Sequence, residues 1–535
     1  MKKILKYTTV LIIAMISLQS CNKDFLNLEP KTNLTEANYY KTENDAFLSV
    51  VSIYDALSVQ NWQFVPIMSD IFSDDAYCGG SSAGDMTQWQ EIEAGTMTGE
   101  NEAAADLWQR CYTGIYRANL YLEKEGQINW ITDGLEARLT AEAKFLRAYF
   151  YWDLVRHYGW VPIITEVLPN IEDYKNISQS TPQEVFTQIA SDLLAAIPDL
   201  PTDIPSTEKG RASKYAAEAL LARIYLFYEG FGKAQLSCSG DWSDGTTAIN
   251  KIYVQNALDD IINSSKYQLL PNYADIFDWT NENNDESIFE WQYSEKANSG
   301  DWSGWNINGN FSVVFYGPRN PKGNSPYADV EGWSFCTASW DLVNEFEAGD
   351  PRRDVSIFDA NTELSSYTAA FQNTGYFMKK NMGLKAFEHT TAGDIAHNWR
   401  KNFIDIRYAD VLLMAAEVYL DDNPSLALNY FNQVRTRAMG SSAALTSLTL
   451  DDIYHERRVE FAGEGLRKWD LLRRGLTYTE TKINESFDVS AYNPPNEDDF
   501  TGRDFNPDTW GMFPIPASEI RNANAGVLKQ YVPAY

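Results

Sequence analysis

The sequence predicts a mostly α fold in which antiparallel helical hairpins, packed much as tetratricopeptide hairpins stack, support a loop-rich middle. Three observations carry this expectation. No segment sustains the apolar and polar alternation of a half-buried strand, while several repeat apolar residues every three or four positions. Capping and stop signals bracket those periodic stretches. Between about residues 271 and 400 the texture changes to Asn, Gly, Ser and aromatic residues with few helix signals.

The chain begins with Lys2, Lys3 and Lys6 and then an apolar run from Tyr7 to about Leu18, the order of a secretory signal. The run is shorter than the roughly 20 apolar residues a membrane-spanning helix needs. Leu18-Gln19-Ser20-Cys21 resembles the lipobox of bacterial lipoproteins, in which the Cys becomes the lipidated first residue. Residues 1–20 therefore read as signal peptide, 21–40 as a lipid-anchored tether, and 41–535 as one body. In that body a helical scaffold covers about 41–270 and 401–475, and the loop-rich region about 271–400. The other cysteines, Cys78, Cys111, Cys238 and Cys336, stand in no close spacing and read as packed thiols.

Within the body, Leu135, Leu139, Ala143, Leu146 and Phe150 form one stripe and predict a helix over 135–155. Thr181-Pro182-Gln183-Glu184 reads as a capping box with Pro at the first helical position, opening a helix that ends at Pro198. A third helix runs from Lys214 to Tyr228, where Gly230 and Gly232 are expected to stop it. Tyr408 to Leu420 and Leu426 to Ala438 form a pair broken at Asp422-Asn423-Pro424, and Leu450 to about Ala462 begins another. Tightly spaced alanines (Ala216, Ala217, Ala219, Ala222; Ala409, Ala415, Ala416) permit close helix approach.

Composition narrows the function. Against 44 Lys+Arg stand 74 Asp+Glu, a formal charge of −30, which makes nucleic acid an improbable partner because the surface would repel phosphates. Only four histidines are present, little material for His-based metal or acid/base sites. Gly80-Ser81-Ser82-Ala83-Gly84 matches a nucleophile elbow, yet the polar residues around it read as loop, without the strand and helix such an elbow needs. His455-Glu456-Arg457-Arg458-Val459 lacks the second His of a zinc helix. No phosphate-binding or dinucleotide pattern occurs, so no cofactor and no catalytic residue is expected. Six of the 16 tryptophans lie between Trp279 and Trp340, where even spreading would place about two. Flat rings in loops stack on the apolar faces of sugars while nearby polar side chains bond the hydroxyls. The expected platform draws Asp74, Asp75, Tyr77 and Trp89 from one side and Trp291, Trp302, Trp305, Tyr316 and Trp333 from the other.

The chain also resembles the SusD/RagB family of surface lipoproteins from the polysaccharide uptake systems of Bacteroidetes. The resemblance rests on Cys21 followed by Asp24-Phe25-Leu26 and Pro30, on Ala141-Glu142-Ala143-Lys144-Phe145-Leu146-Arg147-Ala148 running to Tyr158-Gly159-Trp160-Val161-Pro162, and on Lys209-Gly210-Arg211-Ala212. It continues through Arg407-Tyr408-Ala409-Asp410, Asn432-Gln433-Val434-Arg435, Glu456-Arg457-Arg458-Val459-Glu460-Phe461, Glu464-Gly465-Leu466-Arg467 and Phe513-Pro514-Ile515-Pro516. The closing residues depart from it, with Asn524-Ala525 where the family usually has Asn-Pro. The resemblance implies a SusD-like fold of four tetratricopeptide-like hairpins and a glycan site on loops. It also implies delivery of an oligo- or polysaccharide to a SusC-like TonB-dependent barrel, from the outer membrane surface and through the Cys21 anchor alone. Arg457, Glu460 and Arg467 read as helix-to-helix ion pairs, and the strong acidity favours a neutral glycan. Peptide capture, as in part of this family, and glycoside hydrolysis remain alternatives.

Overall fold

The computed structural model describes residues 39–535 except 60–61, 171, 296–306, 389–393, 488, 493, 495 and 501–503. Its helical scaffold is built from α1 (Glu43–Ser58), α2 (Val65–Phe72), α3 (Thr87–Glu93), α4 (Glu102–Lys124), α5 (Leu135–Tyr158), α6 (Pro182–Ala196), α7 (Lys214–Phe227), α8 (Lys251–Asn263), α9 (Tyr408–Tyr419), α10 (Pro424–Met439), α11 (Leu450–Glu460) and α12 (Arg467–Arg474). α1 packs on α4, α5 on α6, α7 on α8 and α9 on α10, and the pairs meet through α4 with α5 and α8 with α9. The capping box expected at Thr181 is present: Glu184 N–H donates to Thr181 Oγ1 at 3.3 Å, and Thr181 N–H donates to Glu184 Oε2 at 2.7 Å. The expected stop after α7 is instead a π-helical turn, Tyr228–Gly232. There Gly230 lies against the backbone of Arg473, where a Cβ would stand 2.5 Å from its carbonyl.

Small residues set how closely the scaffold packs. At the α4 and α5 crossing Gly114 faces Phe150, where a Cβ would lie 2.1 Å from the ring. The alanines of α7 and α9 are fully buried, as their tight spacing requires.

Short strands come from β1 (Ala76–Gly79), between α2 and α3, and from the middle of the chain: β2 (Ser287–Trp291), β3 (Arg319–Lys322), β4 (Phe335–Ala338), β5 (Ile357–Asp359), β6 (Ser366–Thr368), β7 (Tyr376–Met378) and, at its end, β8 (Phe403–Arg407). One sheet has the order β1-β4-β7-β5, antiparallel throughout, with Ala76 opposite Ala338 and Gly79 opposite Phe335. β2 pairs with β8, and β3 with β6. Folding these stretches into strands carries Trp291 into the main core, which runs from Tyr40 to Val532, and Tyr77 into a smaller cluster with Val489 and Phe500.

Scaffold and sheet are joined by buried arginines. Arg407 bonds Glu286, Glu460 and Glu464 at 2.6–2.8 Å, Arg457 bonds Asp410 and Asp470 at 2.6 and 2.8 Å, and Arg467 grips Asp74 through two bonds of 2.7 Å. The ion pairs expected of Arg457, Glu460 and Arg467 are therefore structural. Planar guanidinium groups suit such bidentate, buried pairing.

Candidate functional site

The most built surface feature lies where three backbone segments meet beside the four-stranded sheet. Gly80 N–H donates to Ser334 O at 2.8 Å, Ser334 N–H to Gly317 O at 2.9 Å, and Trp333 N–H to Val314 O at 2.8 Å. The approach is close enough that a Cβ on Gly79, whose φ is +74°, would stand 2.2 Å from Ser334 O. Below these segments Trp89, Phe311, Phe315 and Phe335 make an aromatic floor, with Trp89 to Phe315 centroids 4.7 Å apart and Phe311 to Phe315 4.8 Å.

Two half-buried tryptophans rise from this floor. Trp62 lies 6.4 Å from Phe311 and 6.5 Å from Phe315, and Trp333 lies 5.7 and 5.5 Å from the same rings. Both pack at tilted or edge-on angles, which leaves part of each indole to solvent. Next to Trp333, Arg319 meets the Asp85 carboxylate at 3.3 Å in a half-exposed pair, and Asp85 also accepts Ser81 N–H at 2.8 Å. Asn320 donates to Thr368 Oγ1 at 3.1 Å.

Backbone strain concentrates here. Of the eleven non-glycine residues with positive φ among the described residues, Met86, Asn320, Asp329, Ser334, Cys336 and Gln372 belong to this sheet and its loops. Such conformations cost about 1–3 kcal/mol each and persist where surrounding structure fixes a functional surface.

The structure corrects most of the expected platform. Asp74 and Asp75 are buried and serve the scaffold, Asp74 bonded to Arg467 and Arg458, and Asp75 to Arg458 at 2.8 Å. Burial opposes ionisation of Asp74, but Arg458 and Arg467 outweigh it and hold the group well below the ordinary carboxylate range. Burial pushes Asp75 up to about 6, offset only in part by Arg458. Tyr77 is buried with its hydroxyl on Ser486 O at 2.9 Å, and Trp89 is fully buried with Nε1–H on Trp62 O at 2.7 Å. Trp291 packs between Phe64 and Phe403, and Tyr316 is 2% exposed. None of these six offers a face to solvent: strand pairing turns Tyr77 and Trp291 inward, Trp89 sits on the buried side of α3, and Asp74, Asp75 and Tyr316 lie in closely packed loops. Trp333 does. Trp302, Trp305 and Cys21 lie outside the described residues.

The elbow-like segment is also corrected. β1 precedes it and α3 follows it, contrary to the loop reading. Ser82 is exposed, as an elbow serine would be, but its hydroxyl accepts Gly84 N–H at 3.3 Å and has no histidine or carboxylate partner among the described residues. Of the described histidines, His157 is buried against Trp469 and Phe513, His397 is buried with its ring against Phe311 of the floor at 5.2 Å, and His455 is held by Glu345 and Glu347. Trp62 was not anticipated: it stands alone in Gln60-Asn61-Trp62-Gln63, far in sequence from the tryptophan cluster.

A stack of helical hairpins presenting a strained, aromatic loop surface defines a binding protein in which the helices are support. Comparison with known proteins makes this specific. The SusD family model matches residues 285–535, and a model described as starch-binding, associating with the outer membrane, matches residues 24–226. A solved laminarin-binding SusD-like protein is 30% identical, with 91% of this chain and 100% of that one covered at a TM-score of 0.77. The surface glycan-binding protein A of Bacteroides thetaiotaomicron, solved with laminarihexaose, is 26% identical over 92% of this chain and 100% of its own, at a TM-score of 0.78. A SusD-like protein of Formosa agariphila is 29% identical over 508 residues, covering 87% of this chain and 89% of its own. The chain belongs to the SusD family.

Proposed function

We propose that the protein is a surface glycan-binding lipoprotein that captures a neutral glucan of the laminarin type and passes it, uncleaved, to a SusC-like TonB-dependent barrel. The observation that carries the reading is the pair of partly exposed tryptophans, Trp62 and Trp333, mounted on one aromatic floor beside the Asp85 and Arg319 pair. Rings of this kind stack on sugar faces, and the charged pair with Asn320 supplies hydrogen bonds to hydroxyls. Trp302 and Trp305 join them in the proposal from sequence alone. The laminarin ligands of two relatives support the choice of glucan. The overall charge of −30 supports a neutral chain over an acidic one. Cys21 is the proposed lipid anchor and the barrel the proposed acceptor, with no catalytic step.

Affinity electrophoresis of the chain beginning after Cys21, against laminarin, starch, mannan and an anionic polymer, tests this. Retardation by laminarin, lost in a Trp62→Ala/Trp333→Ala variant and without release of reducing ends, is expected. Retardation by the anionic polymer alone, or reducing-end release, would overturn it.

A further inference from the structure

A second aromatic groove lies on the outer face of α4, apart from the platform. Two adjoining cavities of about 560 and 410 Å³ share Tyr112, Tyr116, Ile164 and Tyr174, and each falls in the size range of ligand sites. The helix supplies its floor. Tyr112 and Tyr116 are four residues apart and so share one face, as do Gln109 and Thr113 alongside them. Tyr116 is 52% exposed.

The groove is braced. The Tyr112 ring packs on Trp108 at 4.9 Å and its hydroxyl donates to Pro162 O at 2.8 Å, while Asn119 Nδ2 donates to Ile164 O at 2.9 Å. Its lining carries the acids Asp106, Glu166 and Glu519 and, among the described residues, no Lys, Arg or His. An anionic ligand would find no partner there. Burial pushes Asp106 up to about 6, with Glu102 adding to it, and burial also raises Glu519. Both thus sit in surroundings where hydrogen bonding to a neutral hydroxyl costs less than holding a charge.

One hydrogen bond links the platform to the groove. Asp106 lines its near end and accepts the backbone N–H of Trp62, the platform tryptophan. From Asp106 to Asn119 the helix runs about 20 Å, room for several sugar rings in line.

We propose that this groove is a second glycan subsite, in which Tyr116 and Tyr174 stack on the part of a long neutral glucan that extends beyond the Trp62 and Trp333 platform. The proposal rests on the glycan-binding reading above and adds to it a dependence on chain length. A ligand confined to the platform would not reach the groove, whereas a polymer would occupy both and gain affinity through the tethered second contact.

The test compares laminarihexaose with laminarin polymer on the wild-type chain and on a Tyr116→Ala/Tyr174→Ala variant. Both side chains are partly exposed, so folding should be retained. The expected result is hexaose affinity within twofold of wild type and polymer affinity reduced about tenfold. Hydroxyl-radical footprinting should show Tyr116 and Tyr174 protected by polymer and not by hexaose. Unchanged polymer affinity in the variant overturns the inference, as does protection of these tyrosines by poly-lysine with none by polymer, which would make the groove a site for a cationic peptide. Failure of the wild type to bind even the hexaose would be the distinct failure of the platform reading, and the inference would fall with it.

Discussion

Replacing Asp74 with alanine separates two roles for the same carboxylate. Its oxygens take two 2.7 Å bonds from Arg467 and a 3.2 Å contact from Arg458, in surroundings that leave Asp74 fully buried. Removing it strands the Arg467 guanidinium out of water, while Arg458 keeps Asp75 and Asp341, and breaking a buried pair in this way costs about 3–5 kcal/mol. The carboxyl is held below its ordinary range, so its contribution is present above the unfolded value, about pH 4, and is lost as pH falls below it. Urea unfolding at pH 7 should therefore show Asp74→Ala destabilised by about 4 kcal/mol with an unchanged slope, and the deficit should shrink in acid. A double cycle with Arg467→Ala should recover much of the loss, since the two effects share one interaction. A variant as stable as wild type but weakened in glycan binding would refute this account and return Asp74 to the ligand.

Three further outcomes follow from the geometry. Asp75→Asn should flatten the pH dependence of stability between about 4 and 6: a carboxyl raised to about 6 on folding stabilises most in acid and loses that contribution as pH rises through 6, which pH-resolved unfolding reads directly. Gly114→Ala should lower stability by about 1–3 kcal/mol through overpacking against Phe150 at the α4 and α5 crossing, measured by denaturant midpoint. Trp333→Ala should weaken glucan binding about tenfold while moving the unfolding midpoint far less than Asp74→Ala does, because its ring is only half buried.

The helices were legible where local chemistry marks them. Thr181 and Glu184 form their capping box within four residues, and the stripe from Leu135 to Phe150 shows its period directly. α4 escaped notice because its buried face includes Arg110, Cys111, Gly114 and Asn119, which dilute the apolar period. The site was less legible for a physical reason. Asp74 and Asp75 look like surface acids until Arg458 and Arg467 arrive from nearly 400 residues away. Trp291 and Tyr316 look like loop aromatics until strand pairing and close loop packing turn them inward. Trp62 reaches the platform only because Phe311 and Phe315 are brought beneath it by the fold. Family motifs identified the scaffold because the scaffold is where they lie; the loops of the proposed platform hold none of them.

The most direct test of the central claim is titration calorimetry of the chain beginning after Cys21 with laminarihexaose, on wild type and on Trp62→Ala/Trp333→Ala. Saturable binding by wild type, abolished in the variant at unchanged thermal stability, is the predicted result. Equal affinity in both proteins would contradict the assignment of the glycan to these two rings.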